Sequence, residues 1–74
     1  MVSPNPVRNQ LKIELKDFNG ATKIELINAL GQIVVVKNNT GKSINLDVSN
    51  FARGVYNVIV SSDENIFSRK IILE

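Results

Sequence analysis

Hydrophobic and polar residues alternate with a period of two along most of this 74-residue chain. The clearest run is 11–16, where Leu11, Ile13 and Leu15 alternate with charged residues, so that one face is buried and the other is solvated. A helix would instead repeat its hydrophobic positions about every 3.6 residues. The pattern therefore predicts short antiparallel strands, and no segment favours a helix.

Turn residues separate this first strand from further predicted strands at short intervals, which is typical of a sandwich. Four consecutive hydrophobic residues, 33–36, predict that both faces of the strand there are at least partly covered. The sequence predicts an all-β fold, a small immunoglobulin-like antiparallel β-sandwich of six to seven strands, with an open meander as the alternative. The further predicted strands are Thr22 to Asn28, Gln32 to Lys37, Ser43 to Val48, a strand with Tyr56, Val58 and Val60 on one face, and Ile66 to Leu73, with an additional short strand near Val7 or Phe51.

Two glycines are expected to serve turns. A type I turn over residues 28–30 followed by Gly31 in the left-handed conformation would close a hairpin through a G1 bulge. After the fourth long strand, Phe51 is expected to plug one end of the core, and Gly54 to permit the sharp entry into the next strand.

Residues 1–74 are expected to form one domain, because a chain this short buries only about 60% of its unfolded surface and cannot support two cores. Residues 1–6 are interpreted as a linker or collar and residues 7–74 as the sandwich. Pro4 and Pro6 fix the backbone on either side of Asn5 and would stop the incoming chain from extending the sheet.

The composition limits the function classes. The nine Lys and Arg residues are scattered, and only Arg69 and Lys70 are adjacent, so a nucleic-acid-binding face is not expected. With 43% hydrophobic and 22% charged residues the chain is too apolar for a disordered tail. It also lacks a hydrophobic run long enough to span a membrane, so no direct membrane insertion is expected.

The sequence offers few groups for catalysis. It has no His and no Cys, which removes thiol nucleophiles, imidazole bases and nearly all zinc sites. A calcium site at Asp63, Glu64 and Asn65 is the weaker interpretation, because a hairpin tip rich in Asp and Asn needs no ion. We expect no enzyme activity, no cofactor and no metal, and hence a function in recognition.

The motifs SPNPV, LKIEL, INALGQIV, FARGVYNVIV and a terminal SRKIILE occur in this order between Ser3 and Leu73. In this combination the chain resembles the type A C-terminal sorting domain of the type IX (Por) secretion system of Bacteroidetes. Ser3, Phe51 and Glu74 depart mildly from the family pattern. The positions that match its motifs are Pro4, Asn5 and Pro6, the turn residue Gly31, Gly54 and Tyr56 of the G-x-Y element, and Lys70, Ile71 and Ile72 of the terminal block.

The resemblance implies a non-catalytic sorting signal carried by an upstream cargo protein. Such a signal passes through the periplasm to the cell surface or medium. Its implied partners are the outer-membrane translocon with its shuttle protein and a sortase-like peptidase that cuts upstream of the domain. The alternative is an immunoglobulin-like or fibronectin-like accessory module of an extracellular enzyme, acting as a spacer or carbohydrate binder.

Several hydrophobic residues violate the alternation and are candidates for a recognition surface, with ordinary core or edge packing as the other interpretation. Lys70 could equally protect an edge strand from aggregation. The isolated domain is expected to be a monomer or a weak edge-strand dimer. The hydrophobic candidates are Ile27, one pair within Ile33 to Val36, Ile59, and either Ile71 or Ile72.

Overall fold

The computed structural model describes residues 2–3, 7–16, 18 and 20–74. This part of the chain is all-β, as the alternating pattern predicts, and the predicted boundaries of the six longer strands agree with the observed ones to within a few residues. The short additional strand lies at Val2–Ser3 in the segment interpreted as a linker or collar, whereas Val7 forms a single bridge. The strands are β1 (Val2–Ser3), β2 (Gln10–Glu14), β3 (Thr22–Asn28), β4 (Ile33–Asn39), β5 (Ser43–Asp47), β6 (Gly54–Ser61) and β7 (Ile66–Leu73).

The strands form two antiparallel sheets that pack as a sandwich. One sheet has the order β1-β2-β5 and the other the order β4-β3-β6-β7. In immunoglobulin lettering these sheets are A-B-E and C′-C-F-G, which is the division expected of an immunoglobulin-like sandwich. The predicted fold class is confirmed.

The core lies between the inner faces of the two sheets. Residues that alternate along each strand point into it, because successive side chains of a strand project to opposite faces. Phe51 is half-buried against this core, as predicted, and so are Phe18 and Phe67. The buried hydrophobic residues are Val7, Leu11, Ile13, Leu15, Ile24, Leu26, Leu46, Val48, Tyr56, Val58, Val60, Ile71 and Leu73.

The segment before β2 joins the two sheets. β1 pairs with β2 in the three-stranded sheet, whereas Val7 forms a parallel bridge with Leu73 of the other sheet. The Val7 N–H donates to the Ile72 carbonyl, and the Glu74 N–H donates to the Val7 carbonyl, both at 2.8 Å. Val7 is fully buried. The entering chain is thus fastened directly to the end of the last strand.

The prediction that both faces of residues 33–36 are covered is wrong. β4 is an edge strand, and the outer face of its sheet is uncovered, so Ile33 and Val36 remain 53% and 50% exposed, while Val35 packs against the core. The pairing register of β3 and β4 shifts at one point: Leu26 lies opposite Val35, but Ile27 lies opposite Ile33. Val34 is therefore the extra residue of a β-bulge.

Candidate recognition surface

The predicted motif residues fall into three separate regions of the chain. Pro4, Asn5 and Pro6 lie outside the described residues. Gly31 lies in the hairpin between β3 and β4, Gly54 and Tyr56 lie at the start of β6, and residues 70–72 lie in β7. Among the described motif residues, Tyr56 lies directly opposite Ile71, so the structure brings the G-x-Y element and the terminal block together on neighbouring strands.

Gly31 has the predicted role in the β3–β4 hairpin. Its φ is +84°, and its N–H donates to the Asn28 carbonyl at 3.0 Å. The Asn28 side chain reinforces the turn, because its Oδ1 accepts hydrogen bonds from the N–H groups of Leu30 and Gln32, each at 2.9 Å. These contacts are local, so Gly31 serves the geometry of the turn.

Gly54 and Tyr56 shape the corner that leads into β6. Gly54 has a φ of +142°, a conformation that residues with a Cβ rarely adopt. The buried Tyr56 side chain donates its hydroxyl hydrogen to the Ala52 carbonyl at 2.6 Å. A tyrosine at the start of this strand, whose hydroxyl donates to a backbone carbonyl a few residues earlier, is the tyrosine corner of immunoglobulin-like sandwiches. The G-x-Y element therefore stabilises the framework.

From the sequence alone, Arg53 is only one of the scattered Lys and Arg residues. In the structure its guanidinium binds backbone carbonyls from three parts of the chain. It donates to the carbonyls of Val48 at 2.9 Å and Ser49 at 2.8 Å in the corner after β5. It also donates to the carbonyl of Arg8 and, at 3.4 Å, to that of Glu74. Arg53 thus links the entering chain, the corner and the last residue.

The terminal block divides between the two faces of β7. Ile71 is fully buried opposite Tyr56 and belongs to the core. Lys70 and Ile72 point to the opposite face, and Ile72 is 45% exposed beside Val55. Of the two isoleucines considered for recognition, Ile72 is therefore the accessible one.

The hydrophobic residues that violate the alternation come together on the outer face of the four-stranded sheet. Residues directly opposite each other in neighbouring strands share a face. Ile27 lies opposite Ile33, and Val55 lies opposite Ile72. All of them are exposed or half-buried. We name this set the outer apolar surface: Ile27, Ile33, Val36, Val55, Ile59 and Ile72.

Charged residues on the same face surround the outer apolar surface. Lys23 of β3 and Lys70 of β7 are exposed there. Glu25 is half-buried and lies in a row between Val36 and Ile59. The face therefore combines hydrophobic area with two peripheral cations and one more central anion.

Two turns outside this surface are closed by their own side chains. The Ser49 hydroxyl at 2.6 Å and the Ser49 N–H at 3.0 Å donate to Oδ1 of Asp47, and they hold the pKa of this exposed carboxyl below its usual value of 3.8. In the β6–β7 hairpin, Ser62 Oγ accepts hydrogen bonds from the N–H groups of Glu64 at 3.4 Å and Asn65 at 3.2 Å, and the Ser62 N–H donates to the Asn65 carbonyl at 2.8 Å. This hairpin contains the weaker calcium candidate, and the chain's own hydrogen bonds account for its closure.

The described residues show no group of three or more His, Cys, Asp and Glu side chains that could hold a metal ion. Within the same ranges, no helix is long and apolar enough to cross a membrane. The aromatic side chains Phe18, Phe51, Tyr56 and Phe67 are buried or half-buried, so they do not form an exposed platform for a sugar ring.

A family model for secretion system C-terminal sorting domains matches residues 1–74, the whole chain. The chain belongs to this family, the C-terminal sorting domains of type IX secretion. A comparison with curated proteins found no match. The resemblance found in the motifs is confirmed.

Membership in the sorting-domain family implies a C-terminal signal for type IX secretion and export to the cell surface or extracellular space. It also implies interaction with the type IX secretion machinery and attachment to an upstream cargo protein. Domains of this kind are generally non-catalytic.

Proposed function

We propose that this chain is a non-catalytic signal that directs an attached cargo protein across the outer membrane through the type IX translocon. The match of the sorting-domain family over residues 1–74 is the observation that carries this proposal. The fold supports it physically, because a receptor that accepts many cargoes needs a rigid surface that does not depend on the cargo.

The outer apolar surface is the proposed contact for the translocon or its shuttle protein. Its side chains lie on a face that no described residue covers, so packing within the fold does not account for them. Exposed hydrophobic side chains grouped on one face are typical of interaction sites. Since Lys23 and Lys70 lie at its periphery and Glu25 lies nearer its centre, the fitting partner surface is hydrophobic, with acidic groups at its rim and a cation or hydrogen-bond donor facing Glu25.

The motif residues then divide into two roles. Lys70 and Ile72 contribute side chains to the outer face and are proposed to contact the machinery. Gly31, Gly54 and Tyr56 keep the turn and the corner in shape, as their hydrogen bonds and φ values indicate. Pro4, Asn5 and Pro6 are proposed as a landmark near the start of the sorting domain, which includes β1 because Val2 and Ser3 pair with β2.

The proposed route passes through the periplasm before the outer membrane. A sortase-like peptidase at the cell surface would then cut upstream of the domain and release the cargo from its signal. The accessory-module alternative has no specific observation in its favour, since a carbohydrate binder would be expected to expose aromatic rings.

The test is export of a reporter. A reporter that carries a secretory signal peptide is fused in front of residues 1–74 and expressed in a host with a working type IX system. We expect the reporter at the cell surface or in the medium, and in the periplasm when the sorting domain is deleted or the translocon is absent. Periplasmic retention of the intact fusion in the competent host would contradict the proposal.

A further inference from the structure

A small pocket lies where the β3–β4 hairpin approaches the corner before β6. We name it the hairpin pocket. Its volume is about 200 Å³, and it is lined by Ala29 and Leu30 of the hairpin and by Ala52 and Gly54 of the corner. Pockets that bind small molecules usually measure at least about 300 Å³, so a pocket of this size suits a single side chain.

Leu30 stands beside this pocket and is 84% exposed, the largest exposed fraction among the large hydrophobic residues that the structure describes. The turn that carries it is ordered by Asn28. Oδ1 of Asn28 accepts hydrogen bonds from the N–H groups of Leu30 and Gln32, and Nδ2 of Asn28 donates to Oε1 of Gln32. The hairpin thus presents a hydrophobic side chain from an ordered backbone, which lowers the entropic cost of binding a partner.

The polar side chains that line the hairpin pocket already have partners within the chain. Both terminal nitrogens of Arg53 donate to backbone carbonyls, and the Tyr56 hydroxyl donates to the Ala52 carbonyl. The Asn28 amide is engaged within the turn. These side chains offer little to a polar ligand, which would lose its hydration without a matching hydrogen bond. The pocket therefore favours a hydrophobic occupant.

The hairpin pocket adjoins the outer apolar surface. Val55 belongs to that surface, where it lies opposite Ile72, and it also lines the pocket. Ile27 and Ile33, two further members of the surface, lie opposite each other next to the hairpin that carries Leu30. Exposed hydrophobic residues thus extend from the outer face to the hairpin, with a concave site between Val55 and Leu30. Anchor side chains at protein interfaces usually enter such a pocket.

We propose that the hairpin pocket is the anchor point of the recognition surface and takes one aliphatic or aromatic side chain from the outer-membrane machinery of type IX secretion. This contact rests on the function proposed above, in which the outer face binds the translocon or its shuttle protein. Leu30 and Val55 flank the entering side chain. Ala29, Ala52 and Gly54 leave space for it, because their own side chains are small or absent.

Export of the reporter fusion tests the hairpin pocket. Leu30→Asn removes a hydrophobic wall of the pocket and should lower export at least about tenfold. It should change the free energy of unfolding little, because Leu30 is exposed and asparagine suits a turn. The matched control, Leu30→Met, keeps a hydrophobic side chain at the same position and should be exported like the wild type.

The outcomes separate this contact from the function on which it rests. Wild-type export of Leu30→Asn would overturn the hairpin pocket alone. Equal loss of export in Leu30→Asn and Leu30→Met would overturn it too, because the turn and not its hydrophobic side chain would then matter. Retention of the unsubstituted fusion in the periplasm would contradict the proposed function, and the hairpin pocket would fall with it.

Photocrosslinking identifies the partner directly. Because the chain has no cysteine, Ala29→Cys gives a single attachment site for a benzophenone beside the pocket and leaves Leu30 in place. Irradiation with outer membranes of the host should join the domain to the translocon or shuttle protein, and the product should disappear in a strain that lacks that protein. Lys12→Cys, an exposed site in the three-stranded sheet, should give little product. Equal yields from both sites, or no product with either protein, would overturn the proposal.

Discussion

The inner and outer faces of the four-stranded sheet are both rich in hydrophobic side chains, but they differ in what covers them. On the inner face, Leu26, Val58 and Ile71 are each fully buried against the other sheet. On the outer face, Val36, Val55 and Ile72 remain between 42% and 50% exposed. A sandwich of this type normally alternates hydrophobic residues inside with polar residues outside.

This difference separates two reasons for a hydrophobic residue in a strand. Burial in the core explains the inner residues, because each stabilises the fold by about 1.5–3 kcal/mol. The outer residues stabilise the fold much less, so a contact with another molecule explains their hydrophobic character better. The predictions below therefore first compare how substitutions on the two faces change the free energy of unfolding, and then how they change export.

The largest effect is expected from neighbouring residues of the terminal block. Ile71→Ala should lower the free energy of unfolding by about 2–5 kcal/mol, because it leaves a cavity in the core. Ile72→Ala should lower it by less than about 1 kcal/mol, because that side chain is exposed. Denaturant unfolding measures both. Equal destabilisation by the two substitutions would remove the distinction between the faces.

A smaller effect is expected at the corner that leads into β6. Tyr56→Phe keeps the buried ring but leaves the Ala52 carbonyl without the hydroxyl donor. Because Ala52 is exposed and its carbonyl can then bind water, the free energy of unfolding should fall by about 0.5–1.5 kcal/mol. Thermal or denaturant unfolding monitors this loss, and Asn57→Ala, an exposed site on the next residue, is the control. A Tyr56→Phe variant as stable as the wild type would show that the tyrosine corner is dispensable.

The smallest stability effect is expected on the outer face. In the double variant Val55→Thr and Ile72→Thr, β-branched residues replace a directly opposed hydrophobic pair. The free energy of unfolding should change by less than about 1 kcal/mol, the usual range for a cross-strand pair. A larger loss, measured by denaturant unfolding, would mean that the pair is part of the folded core after all.

The sequence predicts the face of each strand well, because alternation is a local property. It also identifies Ile27, Ile59 and either Ile71 or Ile72 one by one as violations of that alternation. It does not show that they lie on one surface, since this depends on the register between strands. The exposure of β4 was missed for the same reason: a run of four hydrophobic residues resembles a strand covered on both faces, and strand order is not local.

Arg53 illustrates a second limit of sequence reasoning. Its hydrogen-bond partners lie up to 45 positions away along the chain, at Arg8, and 21 positions away at Glu74. An arginine in a corner has no local pattern that distinguishes it from a solvated charge. The G-x-Y element next to it was recognised as a motif, but its role as a tyrosine corner became evident only from the Tyr56 hydrogen bond.

The most direct test of the account is export of a reporter fused to the outer-face double variant Val55→Thr and Ile72→Thr. The matched control combines Lys12→Thr with Asn45→Thr, because these exposed residues lie directly opposite each other in the three-stranded sheet, away from the outer apolar surface. We predict that the outer-face double variant stays folded and is retained in the periplasm, while the control is exported like the wild type. Export of the folded double variant at the wild-type level would contradict the proposal that the outer apolar surface is recognised.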